Sequence, residues 1–206
     1  MKYNPEIHHR RSIRLPFYDY SQPGAYFITL CTTGKQCWFG KIYDGKMHLN
    51  HLGQIVQVEW LKSAEMRPNI RLDEWVIMPN HLHGIVWILE PKELQTSDLS
   101  HGLPGKSNLG NLSNKSSQKS WKRKANSLGS FIGGFKGSVT RRINQLCQNS
   151  TIPIWQRNYY ESIIEDEKAL DSIREYIQLN PQRWGEDPDH PQFQDDFSEL
   201  FLDLEF

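Results

Sequence analysis

The stretch Trp75-Val-Ile-Met-Pro-Asn-His-Leu-His-Gly-Ile-Val-Trp-Ile88 sets two runs of β-branched and aromatic residues around a Pro-Asn-His-Leu-His centre. Such runs fit strands, over Arg71–Met78 and Gly84–Leu89. If the centre is also extended, side chains alternate between faces. His81 and His83 then point the same way while Leu82 enters the core. Their Cα atoms would lie roughly 7 Å apart, close enough for two imidazoles to chelate one ion. Two half-buried histidines at a strand end fit the same letters.

Working outward, Ala25–Thr32 reads as a strand, and Gln36–Phe39 and Lys46–Leu49 as short strands about an Asp44-Gly45 turn. Leu52, Ile55, Val56 and Trp60 recur at helical spacing over residues 52–65. Downstream, residues 90–126 are rich in Ser, Asn, Gly and Lys and read as a long loop insertion. Leu128, Ile132, Phe135, Val139, Ile143 and Leu146 then form the apolar stripe of a helix. A strand at Tyr159–Ile164 and a helix at Asp166–Asn180 follow, the latter closed by Asn180-Pro181. This order predicts an α+β fold, a ferredoxin-like antiparallel sheet with helices on one face. The expected organisation is a basic N-terminal arm (residues 1–20), one domain (21–184) carrying the insertion, and an acidic C-terminal tail (185–206).

Hydrophobic residues make up 37% and aromatics 12%, a globular composition. No apolar run approaches the ~18–20 residues needed to span a membrane, and the first 14 residues lack the apolar core of a signal peptide. Cys31, Cys37 and Cys147 have no metal-type spacing and fit reduced thiols, so a cytoplasmic protein is expected. The 24 basic and 24 acidic residues balance but are segregated. Residues 184–206 carry eight acidic side chains and no Lys or Arg, whereas Lys115–Arg142 carries eight basic side chains and no acidic one. A basic body suits a polyanion, and the acidic end is a potential competitor for the same surface. A solvated loop and tail would give the same pattern.

A second constellation is Ile173-Arg-Glu-Tyr-Ile-Gln-Leu-Asn-Pro181. Leu170, Ile173 and Ile177 form the buried stripe of its helix. Tyr176 and Asn180, four apart, sit one above the other on a neighbouring face. Asn180 has a carbonyl oxygen to offer a metal beside a Tyr176 hydroxyl, or it simply ends the helix before proline. Tyr159 and Tyr160 are rival hydroxyls, but they fall in a strand and have no such polar partner.

Taken together, Met-Pro-Asn before His81-Leu82-His83, Trp155-Gln-Arg-Asn-Tyr-Tyr160 and the Ile173–Pro181 stretch resemble the REP-associated tyrosine transposases. These belong to the HUH class of single-strand endonucleases. Arg10-Arg-Ser-Ile-Arg-Leu-Pro16 and Leu128-Gly-Ser-Phe-Ile-Gly-Gly-Phe-Lys136 are similar to that family too. The resemblance implies a divalent ion, Mg2+ or Mn2+, held by His81, His83 and Asn180. It also implies attack by Tyr176 on a DNA phosphate, giving a 5′-phosphotyrosine and a free 3′-OH. The partner implied is single-stranded or hairpin DNA, with monomer and homodimer both open. Imidazole alone suits zinc better than magnesium, so the ion is implied by the family and not by the ligands.

Several residues are candidates for DNA contact. Arg10, Arg11 and Arg14 lie in the arm, Lys122, Arg123 and Lys124 in the insertion, and Lys136, Arg141 and Arg142 on the helix that follows. Trp155, Gln156 and Arg157 offer stacking and phosphate contacts. Two other functions stay open: a catalytically silent hairpin-DNA binder, and a zinc hydrolase using His81, His83 and a third histidine, His48 or His51.

Overall fold

In the computed structural model, which describes residues 18–90, 126–148 and 151–190, the alternation along one strand sorts the whole domain. Strand β5 (His81–Ile88) is buried almost throughout. It pairs antiparallel with β1 (Gly24–Cys31) on one side and β4 (Ile70–Ile77) on the other. Strand β6 (Tyr160–Ile164) adds to the free edge of β1, giving the sheet order β4-β5-β1-β6. With helices α1 (His51–Glu65) and α2 (Leu128–Leu146) inserted after β1 and β5, this is the ferredoxin-like α+β arrangement expected from the sequence.

Leu82, Val86 and Ile88 of β5 and Tyr26, Ile28 and Leu30 of β1 point to one face of the sheet. There they meet Ile55, Val56 and Trp60 of α1 and Phe131, Phe135 and Val139 of α2. The Trp60 ring packs 5.2 Å from Phe131 and 5.0 Å from Phe135. Leu82 is fully buried, a contribution of roughly 1.5–3 kcal/mol.

The helices do not all share that face. The third, α3 (Glu167–Leu179), covers the other, packing Leu170 and Ile177 on Ala25 and Ile85. The reason lies in β5 itself: Ile85 and Trp87, on the histidine side, are apolar and require a cover. A bulge between Leu72 and Trp75 interrupts the ladder at Asp73. Its carboxylate accepts from Trp87 Nε1 (3.0 Å) and from Nε and Nη2 of Arg174 (2.8 and 2.7 Å), clamping α3 to the sheet. That pairing, above all the Arg174 hydrogen bonds, holds the Asp73 carboxyl down to about 2.

Each helix starts at a side-chain cap. Asn50 accepts from Gly53 N, Ser127 from Ser130 N and Asp166 from Ala169 N. One expected strand is displaced. Residues 36–39 do not form it; the hairpin pairs β2 (Gly40–Tyr43) with β3 (Lys46–Leu49). Asp44 and Gly45 both have positive φ (49° and 68°), so the turn has only two central residues and pairing must begin at Tyr43 and Lys46.

Candidate functional site

The site lies on the face that α3 covers only in part. His81, His83, Thr29 and Cys31 project from β5 and β1, since Thr29 pairs with His83 and Cys31 with His81 across the ladder. The two imidazole rings have centroids 4.4 Å apart. Tyr176 reaches the same place from α3: its hydroxyl is 3.2 Å from His83 Nε2, and the rings are 5.2 Å apart. Asn180 follows as the last cap of α3, where the chain passes into 3-10 turns over Asn180–Glu186. The structure therefore brings His81, His83, Tyr176 and Asn180 together.

Hydrogen bonds fix what these groups offer. Asn80 Nδ2 donates to the carbonyls of Lys35 (3.0 Å) and Asp189 (2.6 Å), so its Oδ1 is turned to His81 Nδ1 (2.8 Å). Oδ1 can only accept, which places the proton on Nδ1 and leaves the lone pair on Nε2. That nitrogen is buried and has no hydrogen-bond partner, and the same holds for Oδ1 of Asn180. Thr29 Oγ1 holds His83 Nδ1 at 2.8 Å. Burial drives both imidazoles toward the neutral form, lowering His81 to about 4 and His83 to about 3. Neutral imidazoles are metal-binding imidazoles. Orphaned, buried acceptor atoms are what a divalent ion would satisfy, so these residues fit the ion implied by the sequence resemblance.

Asp187 is a member of the cluster that sequence reading missed. His81, His83 and Asp187 bring ligand atoms within 4.8 Å of one another. The Asp187 side chain is 3% exposed and its Oδ2 lies 3.9 Å from His81 Nε2. The third histidine considered above does not join: among the described residues neither His48 nor His51 belongs to such a group. His48 instead packs against Tyr43 in the hairpin. The phenol of Tyr176 is raised by burial and then by the Asp187 carboxylate, so the hydroxyl keeps its proton at neutral pH.

His83, Tyr176 and Asp187 open into a cleft of about 430 Å3, which Tyr160 also lines; His81 and Asn180 lie behind it. Gln156 lines this cleft and also a neighbouring groove of about 860 Å3 bordered by Arg141 and Arg157. The other expected DNA contacts are placed differently. Lys136 Nζ donates to the carbonyls of Gln156 (2.8 Å) and Asn158 (3.0 Å), bracing the groove wall. Arg142 pairs with the buried Glu59 at 2.8 Å, tying α2 to α1. Trp155 is 8% exposed and packs against Phe39 and Phe135, at the floor of the same groove. Arg10, Arg11, Arg14, Lys122, Arg123 and Lys124 lie outside the described residues.

No protein-family model matches the sequence. A Haemophilus influenzae protein described as "Uncharacterized protein" is 46% identical over 187 residues, covering 90% of this chain and 96% of its own length. The chain belongs to the same family as that protein. Among solved structures, that of a REP-associated tyrosine transposase bound to a REP hairpin is similar, with a TM-score of 0.52 and 17% identity. The match covers 84% of this chain and 75% of that one. It shows that this chain has a transposase-like fold. No helix among the described residues is long and apolar enough to cross a membrane.

Proposed function

We propose that this chain is a metal-dependent single-strand DNA endonuclease and strand transferase of the tyrosine transposase type, acting on hairpin-associated repeat DNA. The observation that carries the reading is the meeting of Tyr176 with His83 at 3.2 Å, beside the orphaned ligand atoms of His81 and Asn180. The strand supplies both histidines and the helix supplies Tyr176, so the imidazoles and the nucleophile approach a phosphate from different directions.

His81, His83 and Asn180 would hold a Mg2+ or Mn2+ ion. When bound, such an ion neutralises charge on a phosphate oxygen. The chain's own groups do the rest. Tyr176 Oη attacks phosphorus, a bond forms between them, and the bond from phosphorus to the 3′ oxygen breaks. The phenol loses a proton and the departing 3′ oxygen gains one, leaving a 5′-phosphotyrosine and a 3′-OH. Reversal by another 3′-OH rejoins strands without an external energy source. Arg141 and Arg157 line the groove that leads through Gln156 to Tyr176, and would take the phosphates of the bound strand.

The test is incubation with hairpin-bearing oligonucleotides and Mn2+ or Mg2+, with a denaturing gel to detect a covalent adduct. Adduct is expected with wild type and none with Tyr176→Phe. An adduct retained by that variant sinks the assignment of the nucleophile. Tight binding with no cleavage under any metal would instead make the chain a silent hairpin-DNA binder.

A further inference from the structure

Asp187 closes the 3-10 run that begins at Asn180, and its carboxylate is turned back against β5. Oδ1 accepts from the backbone N–H of Asp189 (2.6 Å), and Oδ2 from Nδ2 of Asn180 (3.2 Å). Only 3% of the side chain is exposed. Among the described residues no Lys or Arg pairs with it. Lys35, which reaches this segment, is bound to the Asp189 carboxylate (3.0 Å) and the Pro188 carbonyl (3.2 Å). His81 faces Asp187 with Nε2, the nitrogen that Asn80 leaves unprotonated, so it presents a lone pair and not a positive charge. A buried carboxylate set beside an unprotonated imidazole nitrogen, with no cation bonded to it among the described residues, is an unfavourable group unless a cation joins it.

We infer that Asp187 supplies a carboxylate oxygen to the divalent ion, making the set His81, His83, Asn180 and Asp187. This rests on the metal-dependent reading of the site given above. It also answers the chemical difficulty in that reading. Two imidazoles favour zinc, whereas a carboxylate and an amide oxygen bring the set toward the harder Mn2+ and Mg2+. Because Asp187 and Asn180 bracket the 3-10 run, ion binding would also fasten this segment to β5.

The experiment is calorimetric titration of the full chain with Mn2+ and, separately, with Zn2+, on wild type, His81→Ala, Asp187→Asn and Asp189→Asn. Thermal unfolding of each is followed in EDTA. The expected result is loss of Mn2+ binding in His81→Ala and at least tenfold weaker Mn2+ binding in Asp187→Asn. Asp189→Asn should bind nearly as wild type. Mn2+ affinity should fall more than Zn2+ affinity in Asp187→Asn, a change in ratio that a general loosening of the fold would not produce. In EDTA the same variant should unfold no earlier than wild type, since a buried charge has been removed. Undiminished Mn2+ binding in Asp187→Asn, with His81→Ala inactive for metal, overturns the inference and leaves the metal site standing. Binding in His81→Ala equal to wild type, or no binding by wild type, overturns the metal reading and this inference with it.

Discussion

The Tyr176 hydroxyl lies 3.2 Å from His83 Nε2, the ring nitrogen that a metal ion would take. Hydroxyl and ion therefore compete for one nitrogen. Removing the hydroxyl should not weaken metal binding. Tyr176→Phe is expected to bind Mn2+ as tightly as wild type, or up to about fivefold tighter, given a net hydrogen-bond worth of about 1 kcal/mol. It should form no DNA adduct. Loss of Mn2+ binding in calorimetry would show that the hydroxyl is a ligand and not the attacking group.

The groove gives a different kind of test. Arg141→Ala and Arg157→Ala should each weaken single-stranded DNA binding and reduce the slope of log affinity against log salt by about 1. Arg142→Ala should leave that slope alone. Its cost should appear in stability, on the order of 1 kcal/mol, because the buried Glu59 loses its half-exposed partner. A salt slope that moves with Arg142 instead would redraw the DNA path.

Metal-free stability should fall on mild acidification. An unfolded chain takes up protons on histidine near pH 6.5, whereas folded His81 and His83, lowered by burial to about 4 and about 3, do not. Their contribution is whole above about 6.5 and declines as pH drops toward the folded values. The slope is up to about 1.4 kcal/mol per pH unit for each histidine. Urea unfolding in EDTA at pH 7.5, 6.5 and 5.5 should therefore show a smaller slope for His83→Gln than for wild type. Identical slopes would contradict the burial of these imidazoles.

The clamp of Asp73 on Arg174 titrates in a lower window. Its carboxyl is depressed to about 2, so its contribution is present above about 3.9 and is lost as pH falls through the folded value. At neutral pH Asp73→Ala should cost on the order of 1 kcal/mol, allowing for solvent at a half-open pair. Since Arg174 sits two residues before Tyr176, the adduct should also form about tenfold more slowly. A rate equal to wild type would show that the remaining α3 contacts position the tyrosine unaided.

Gly53 offers a test of the frame. A Cβ there would collide with the carbonyl oxygen of Phe39, which already accepts the Asn50 N–H. The obstacle is backbone and cannot swing aside. Gly53→Ala should therefore destabilise by about 1–3 kcal/mol in denaturant unfolding, despite the better helix propensity of alanine. A stabilised variant would refute the contact.

Period and spacing carried much of the fold and the placement of His81, His83, Tyr176 and Asn180 in one cluster, but not that of Asp187. The apolar stripe from Leu128 to Leu146 marks α2, and the placement of Leu82 between two histidines follows from strand alternation alone. Tyr176 and Asn180 share a face because four residues make one helical turn. Asp187 was illegible for a definite reason. Its charge belongs to an acidic stretch that reads as solvated, and only the 3-10 run after Asn180 folds it back onto β5. Likewise, nothing local distinguishes Arg142 from Arg141. One is bound to Glu59 on another helix and the other lines a groove, a difference set by tertiary packing. The division of the helices between two faces was missed because Leu170, Ile173 and Ile177 say that α3 is covered, not by which side of the sheet.

Alternation along β5 has a consequence for how such a protein can change. Positions 82, 86 and 88 answer to the α1–α2 core, whereas 81 and 83 answer to whatever chemistry the opposite surface performs. Side chains at 81 and 83 can therefore be exchanged while 82, 86 and 88, with 85 and 87 under α3, continue to specify the same architecture. One strand thus keeps the two histidines apart from the packing that holds the α1–α2 core together.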